Sequence, residues 1–307
     1  MRVTSLGSGS SGNALLVEAG PQGRTKILVD AGISIRQLLE RLRQVGISAT
    51  QLQGIFITHE HSDHVVALPT LLKRYTIPLF SASETLAALE SGWSSGIWRS
   101  DSGTLVAPDA GREIFQEHEN DPFSGDRMRT LAICSSYRLG DIDVLAFPVS
   151  HDAAAPCGYL LSAGGCRVCI VLDSGEVTST MLEAMQQADL LILESNHERE
   201  RLLRGPYSYQ LKQRILSSTG HLSNSQAAEA VLRTWRPDGV RWLWLAHLSR
   251  TNNTPKLALQ SMLTSLQAAN ANLSQIHISV LPPGMGSVWD STQLWHVPSL
   301  WNMEQNI

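Results

Sequence analysis

The sequence predicts an α/β protein in which two β-sheets pack face to face with helices on their outer surfaces. Three observations predict it. Short β-branched or aromatic runs lead into segments of helical periodicity, first in one half of the chain and again in the other. No stretch of linker composition separates those halves, so residues 1–307 read as one domain. Strand-like runs also end repeatedly in His or Asp, which is the pattern of a site shared along one sheet edge.

The elements follow in order. Residues 2–6 and 14–18 read as two strands joined by the Gly/Ser turn GSGSSGN, a hairpin. KILVDAG (26–32) is a third strand. Over 34–45 the apolar residues Ile35, Leu38, Leu39, Leu42 and Val45 recur at helical spacing, and Gly46 closes the helix. GIFIT (54–58) is a strand, 64–74 a helix, PLFSA (78–82) a strand, and 83 to about 89 a helix. Residues 91–140, rich in Gly, Ser, Asp and Pro, read as an irregular insertion with one or two short strands; a loop of that length usually has a function or is mobile. Strands at 143–152, 157–163 and 166–175 come next, then a helix at 178–187 and a strand at 189–195. Helices at about 207–217 and 223–234, a strand at 240–249, a helix at 255–268 and a strand at 276–281 complete the pattern. The aromatic, polar segment from Trp289 onward is expected to dock on the body.

Composition limits the function classes. With 43% hydrophobic and 17% charged residues the chain is a core-forming globular protein. No apolar run approaches the roughly 18–20 residues of a membrane helix. Met1-Arg2-Val3-Thr4 enters a strand without an apolar leader. The four cysteines, Cys134, Cys157, Cys166 and Cys169, are too few for a disulfide scaffold, and Cys166-x-x-Cys169 lies inside an apparent strand with no second pair. A cytoplasmic protein with no membrane partner is the expectation. The net charge of −4 provides no global attraction for nucleic acid but is compatible with a local basic face.

The chemistry concentrates in FITHEHSDHVVAL (56–68), where three histidines, a glutamate and an aspartate stand behind an apolar run. Residues i and i+2 of an extended chain share a side, so His59 and His61 can hold one metal ion together. Glu60 points away from both. Asp63 and His64 come as the chain turns into a helix and can hold a second ion. Zinc-like ions take imidazole nitrogens and carboxylate oxygens, with three or four protein ligands, so partners are needed from elsewhere. Three other strand ends offer them: His151 after LAFPVS, Asp173 after VCIVL and His247 after RWLWLA. Asp173, with two oxygens, is suited to bridging. A single strand-end histidine is more often a packing residue, and these gain weight only together.

THEHSDH resembles the HxHxDH signature of the metallo-β-lactamase superfamily, and ILVDAG, SHD, LDSG and LAHLS stand in the order of its other motifs. GSSGN, GPYSYQLKQRI, GHLSN and AHLSRTNN resemble the WalJ/YycJ-type bacterial members, which are associated with 5′→3′ DNA exonuclease activity. The resemblance thins at about 91–140 and over the last twenty or so residues. It implies a four-layer αββα sandwich and two divalent metal ions, with zinc or manganese foremost and iron compatible. It also implies His59, His61 and His151 on one ion, Asp63, His64 and His247 on the other, Asp173 between them, and Asp30 orienting a ligand from behind. Members with flavin-linked redox chemistry carry glutamate where His61 stands here, which favours hydrolysis.

Such a site, with a bridging hydroxide as nucleophile, suits phosphodiester, ester, thioester and lactam substrates alike. Two segments resemble the phosphodiesterase branch that includes tRNA 3′-processing nucleases: LLILESNHE (190–198) and GHLSNSQAAEA (220–230). There, the histidine matching His221 protonates the leaving oxygen, and the glutamate matching Glu194 supports a relay with the Asp63 equivalent. An alkoxide is a poor leaving group unless protonated, so such help is chemically sensible. Alternatively, His221 caps its helix together with Ser223. His197 reads as an extra phosphate contact or as surface decoration. Arg199, Arg201, Arg204, Lys212 and Arg214, interleaved with Tyr207 and Tyr209, read either as a ledge for a polynucleotide or as a solvated face balanced by Glu198 and Glu200. Ser10, Ser11 and Asn13 in the Gly/Ser turn either cradle a phosphate in an anion nest or make a plain hairpin turn.

The reading is a dinuclear phosphodiesterase acting on nucleic acid, with DNA first; Asp63 orients the nucleophile and His221 is the acid. A glyoxalase II-like ester or thioester hydrolase is the alternative. A non-enzymatic scaffold ranks last, because such scaffolds commonly lose ligands.

Overall fold

The structure is a computed structural model that describes residues 1–96, 98–100, 105–106, 123, 127–237 and 239–295. Most of the insertion expected at 91–140, and the chain after 295, lie outside the described residues.

The first half opens with the hairpin β1 (Arg2–Gly7) and β2 (Ala14–Ala19), then β3 (Thr25–Val29), helix α1 (Ile35–Gln44) and β4 (Gly54–Phe56). Ser34 caps α1 by accepting from the Gln37 amide, and Gly46 (φ 79°) follows its end in the left-handed region. Helices α2 (Ser62–Val65) and α3 (Leu68–Arg74) come next, then β5 (Leu79–Ser81) and α4 (Ser83–Ser95). The single helix predicted for 64–74 is therefore broken. The break has a cause: the Ala67 amide bonds the Ala31 carbonyl and the Ala31 amide bonds the His64 carbonyl, pinning the chain to the exit of β3. α4 runs past its predicted end to Gly96 (φ 69°). Within the segment expected to be an insertion, the described residues include several short strands. It holds a small hairpin, β6 (Trp98–Arg99) with β7 (Leu105–Val106), as well as β8 (Met128–Thr130), which joins the edge of the first sheet, and β9 (Ser136–Leu139).

The second half repeats the plan: β10 (Ile142–Pro148), β11 (Cys157–Ala163), β12 (Cys166–Val171), α5 (Ser179–Gln186) and β13 (Leu190–Glu194). Helices α6 (Arg199–Arg204), α7 (Tyr209–Ile215) and α8 (Asn224–Arg233) follow, then β14 (Arg241–Ala246), α9 (Pro255–Ala268), β15 (Ile276–Val280) and β16 (Val288–Asp290). The sequence pattern did not foretell α6. Among the described residues the strands form two seven-stranded sheets, ordered β16-β1-β2-β3-β4-β5-β8 and β15-β14-β13-β12-β11-β10-β9. In each, antiparallel strands give way to parallel ones, at β3/β4 and at β12/β13.

Period-two burial defines the layers. Ile27 and Val29 of β3 face a core between the sheets, together with Val168, Ile170, Ile192 and Trp244 of the second sheet. Their neighbours face outward, Leu28 against the layer of α1 and α3, and Cys169, Leu191 and Leu243 against α5, α8 and α9. This is the predicted four-layer sandwich. Each such side chain contributes about 1.5–3 kcal/mol by burial. Cys166 faces the inter-sheet core and Cys169 the helical layer, so the pair cannot chelate one ion. No helix among the described residues is long and apolar enough to cross a membrane.

Parallel strands bring their C-terminal ends to one edge. At that edge the exit of β3 lies hard against α2, and a Cβ at Gly32 would overlap the Asp63 carbonyl. Gly32→Ala is therefore expected to cost about 1–3 kcal/mol in urea unfolding of the metal-free protein and to weaken metal binding as well. Unchanged stability would show that the approach is not rigid.

Candidate active site

Along this edge the chain gathers seven predicted residues, all buried: His59, His61, Asp63, His64, His151, Asp173 and His247. They fall into two overlapping groups, His59–His61–His151–Asp173 and Asp63–His64–Asp173–His247, whose ligand-type atoms lie within 4.8 Å of one another. Asp173 belongs to both, as its two oxygens allow.

Local structure sets each ring. His59 and His61 leave β4 in an extended stretch, before α2 begins at Ser62, so their side chains share a side. Nε2 of His151 lies 3.2 Å from Nδ1 of His61, while its own Nδ1 bonds the Gly220 carbonyl at 2.9 Å. His64 gives Nδ1 to Asp30 at 2.7 Å. Asp30 also accepts from the Thr58 amide (2.9 Å) and from the Thr58 hydroxyl (2.9 Å to Oδ2). This is the orienting role expected of Asp30, with Thr58 as an unforeseen partner. The backbones of Asp30 (φ 59°) and His247 (φ 52°) both adopt the left-handed region, strain of the kind that clusters at functional sites.

Electrostatics tests whether cations fit here. Oδ1 of Asp63 is buried without a hydrogen-bond partner among the described residues, and Asp173 is buried with only imidazole rings against its oxygens, His247 Nδ1 at 2.6 Å, His64 Nε2 at 3.3 Å and His59 Nε2 at 3.4 Å. Buried carboxylates in that state require positive charge nearby. Burial works to raise the Asp63 and Asp173 carboxyls, yet the His64 and His247 rings hold both below the usual carboxylate range. Burial opposes charge on His247 too, but Asp173 above all, with Asp63 and Glu194, raises it well above the ordinary histidine value. Its Nδ1 lies 2.6 Å from Asp173 and 3.1 Å from Glu194, and its Nε2 lies 3.3 Å from Asp63. His59 moves the other way, lowered by burial and by the charge of His64. The residues fit divalent ions.

The Gly/Ser turn acts on the site from behind. Three of its amides are already bonded, Gly9 N–H to Asn13 Oδ1, Gly12 N–H to Gly9 O and Asn13 N–H to Asp63 O, so these three are not available to the phosphate nest considered from the sequence. Asn13 is buried and sets its side-chain amide 3.2 Å from Nε2 of His64. The Gly9 bond turns the Asn13 NH₂ toward that ring. Ser8 accepts the His247 amide at 3.0 Å. Ser10 and Ser11 are exposed, and Ser11 accepts from Arg250.

Beside the metal-ligand groups, His221 gives Nδ1 to Glu194 at 2.6 Å, both buried. Its ring lies 5.0 Å from that of His151 and 5.4 Å from that of His247. The capping alternative fails, because Ser223 caps α8 with Gln226 in a capping box without His221. Glu194 Oε1 is shared by His221 and His247, and Oε2 accepts the amides of Ser174 and Leu222. Contrary to expectation, Glu194 reaches Asp63 only through His247.

One further expectation is corrected, and the remaining candidates are placed. His197 is no surface residue; it is wholly buried, with burial lowering its pKa to about 4, so it cannot meet a phosphate as placed. Arg204 is exposed and pairs with Glu200 one turn away, the solvated-face reading. Lys212 donates to the Leu203 carbonyl at the end of α6. Tyr207 is half-buried, while Tyr209 is 76% exposed. Glu60, discounted as a ligand, instead accepts the Ala154 amide. The motif asparagines unexplained by sequence prove to be stitches: Asn253 donates to the Ser195 and Asn196 carbonyls and to Asn224, joining the exits of β13 and β14 to α8.

A model of the beta-lactamase superfamily domain matches residues 25–238. The chain belongs to that superfamily. It is similar to Exodeoxyribonuclease WalJ of Streptococcus pneumoniae serotype 2 (strain D39), 35% identical over 265 residues, which cover 86% of this chain and 88% of that one. Exodeoxyribonuclease YycJ of Bacillus anthracis is 32% identical over 257 residues, covering 84% and 86%. Among solved structures, Zn(2+)-bound PqqB from Methylobacterium extorquens has the same fold, with a TM-score of 0.64 over 94% of this chain and all (100%) of that one at 16% identity. The superfamily fold thus accounts for both sheets and for the edge where the histidines meet.

Two outcomes follow from this geometry. Asp30→Asn and Asn13→Ala are each expected to weaken divalent-ion binding about 10–100-fold in chelator competition, without loss of the metal-free fold by circular dichroism. An ion must displace the proton on His247 Nε2, whose pKa is raised, so metal uptake should release protons and tighten as pH rises above about 6.5. Calorimetry in buffers of different ionisation enthalpy measures that release.

Proposed function

We propose that this chain is a dinuclear metal-dependent phosphodiesterase that degrades DNA from an end, in the 5′→3′ direction, as one domain working in the cytoplasm. The observation that carries the phosphodiester reading is the His221–Glu194 pair beside the metal-ligand groups. The two exodeoxyribonuclease relatives support DNA as the polymer. In this reading His59, His61 and His151 hold one ion, Asp63, His64 and His247 the other, and Asp173 stands between them; zinc and manganese both suit the donor set.

When bound, the ions supply an acidified water and polarise the phosphoryl oxygens. The chain's own residues do the rest. Oδ1 of Asp63, buried without a hydrogen-bond partner, is the acceptor that orients the attacking water. Glu194 accepts Nδ1–H of His221 and stabilises its imidazolium, so the transferable proton sits on Nε2. That proton passes to the departing alkoxide oxygen. Two backbone amides on Glu194 Oε2 hold the carboxylate in place during the transfer.

The test uses metal-loaded protein on end-labelled single- and double-stranded DNA and RNA, beside a thioester. His221→Ala should lower kcat on DNA about 10²–10⁴-fold while still binding two equivalents of metal, and His61→Ala should abolish activity with the loss of one. Thioester turnover indifferent to His221→Ala, with no polynucleotide processed, would establish the glyoxalase II-like alternative instead.

A further inference from the structure

Two motif segments, GSGSSGN (7–13) and LAHLSRTNN (245–253), belong to different sheets yet lie side by side at the ligand edge. Their contacts run in register. Ser8 accepts the His247 amide at 3.0 Å, a Cβ on Gly9 would stand 3.2 Å from the Leu248 carbonyl oxygen, and Ser11 accepts from Nη2 of Arg250 at 2.7 Å. Both segments start from the buried site: His247 is in the metal-ligand group, and Asn13 sets its side-chain amide 3.2 Å from Nε2 of His64. Ser11 precedes Asn13 by two residues, which span at most about 7 Å, so the Ser11–Arg250 pair stands on the rim. Both residues are exposed. Among the described residues the one hydrogen bond of Arg250 goes to that neutral hydroxyl, and it enters no ion pair. The adjoining α6, whose Arg201 donates Nε–H to the Thr251 carbonyl, has its acids committed: Glu198 accepts the Glu200 and Arg201 amides, and Glu200 pairs with Arg204. Ser11 accepts through an oxygen lone pair, so its own proton remains to donate.

We propose that Arg250 and Ser11 bind a phosphate of the DNA strand next to the scissile one, on the His247 side of the site. The inference rests on the phosphodiesterase reading and adds to it a contact away from the reacting group. The guanidinium stays charged, and its planar fork matches phosphate oxygens. The Ser11 hydroxyl can donate to the same phosphate while it accepts from Arg250, and that bond orients the arginine before a strand arrives, which lowers the cost of ordering it. On a chain of net charge −4, attraction for a polyanion must come from such local cations. A strand with one phosphate at the buried cluster brings another to the rim, whereas a small thioester carries no neighbouring phosphate.

The competing role is a clasp that merely ties the Gly/Ser turn to the exit of β14, and ionic strength separates the two. The experiment measures KM and kcat on labelled single-stranded DNA over a salt series, with melting temperature and bound metal, for metal-loaded wild type, Arg250→Ala, Arg250→Gln, Arg250→Lys and Ser11→Ala. Arg250→Ala should lower kcat/KM about ten-fold, chiefly through KM, with both equivalents of metal retained. It should also flatten the slope of log kcat/KM against log salt by about 0.7, the value of one single-strand phosphate contact. Arg250→Gln keeps a donor for Ser11 without the charge and should show the same flattened slope. Arg250→Lys should keep the wild-type slope, and Ser11→Ala should raise KM by less with the slope unchanged. An unchanged slope in Arg250→Ala and Arg250→Gln overturns the proposal in favour of the clasp, whether or not activity, bound metal or melting temperature falls. Wild type that cleaves no polynucleotide removes the nuclease reading and this inference together, whereas cleavage with equal slopes in all variants removes this inference alone.

Discussion

Four carboxylates, Asp30, Asp63, Asp173 and Glu194, are buried at one junction between two sheets, none more than 6% exposed. An isolated carboxylate in such surroundings costs several kcal/mol, and this requirement for compensating charge organises everything near it. Asp30 and Glu194 are satisfied by bonds from amides, a hydroxyl and imidazole Nδ1 atoms. Among the described residues Asp63 and Asp173 take no amide or hydroxyl bond on their carboxylates and face imidazole rings only, Asp63 the Nε2 atoms of His64 and His247, and Asp173 the Nε2 atoms of His59 and His64 and Nδ1 of His247. The division is chemical: one pair of carboxylates orients rings, and the other pair is left for cations. The orienting pair also fixes which ring nitrogen points inward, so ligand geometry is set before any ion arrives.

Holding such a junction together is a backbone problem as much as an electrostatic one. The β1–β2 turn belongs to the first sheet, yet Ser8 accepts the amide of His247 from the second. Its other end binds Asp63 through the Asn13 amide and takes the Gly32 amide on the Asn13 carbonyl. α2, the exit of β3 and the hairpin turn are thereby tied into one unit, and that tie splits the helix predicted across 64–74. On the opposite side the Asn253, Asn224 and Asn196 network does the same for β13, β14 and α8. The left-handed backbones of Asp30 and His247 persist because these ties over-determine them.

How much of this was legible depends on the range of the interaction. The spacing of His59, His61, Asp63 and His64 carries its geometry locally, through the period of a strand and the turn into a helix, and could be read directly. His151, Asp173 and His247 were legible because an apolar run ends at each, and β10, β12 and β14 run in the same direction within the mixed second sheet, which places them at one edge. Ser8 on His247, separated by 239 positions, left no mark in the sequence, nor did the sharing of Glu194 between His221 and His247. The charge run at 197–214 misled in a different way: its residues look alike, but Arg204 pairs with Glu200, Lys212 binds the Leu203 carbonyl and Arg214 binds Asp152. Only the fold tells such arginines apart.

The two kinds of information also divide the chemistry. The strand ends supply the buried His and Asp cluster at the junction of the two sheets. In the proposed reading, groups that distinguish a phosphodiester lie off the core strands: His221 precedes the cap of α8 and Arg214 is on α7. His221 is nevertheless tied to the junction, because Glu194 takes its Nδ1–H and the Leu222 amide. The rim and the junction are coupled, because Gly220 holds the His151 ring and Glu194 holds His221, so a change in the segment between α7 and α8 reaches the buried carboxylates.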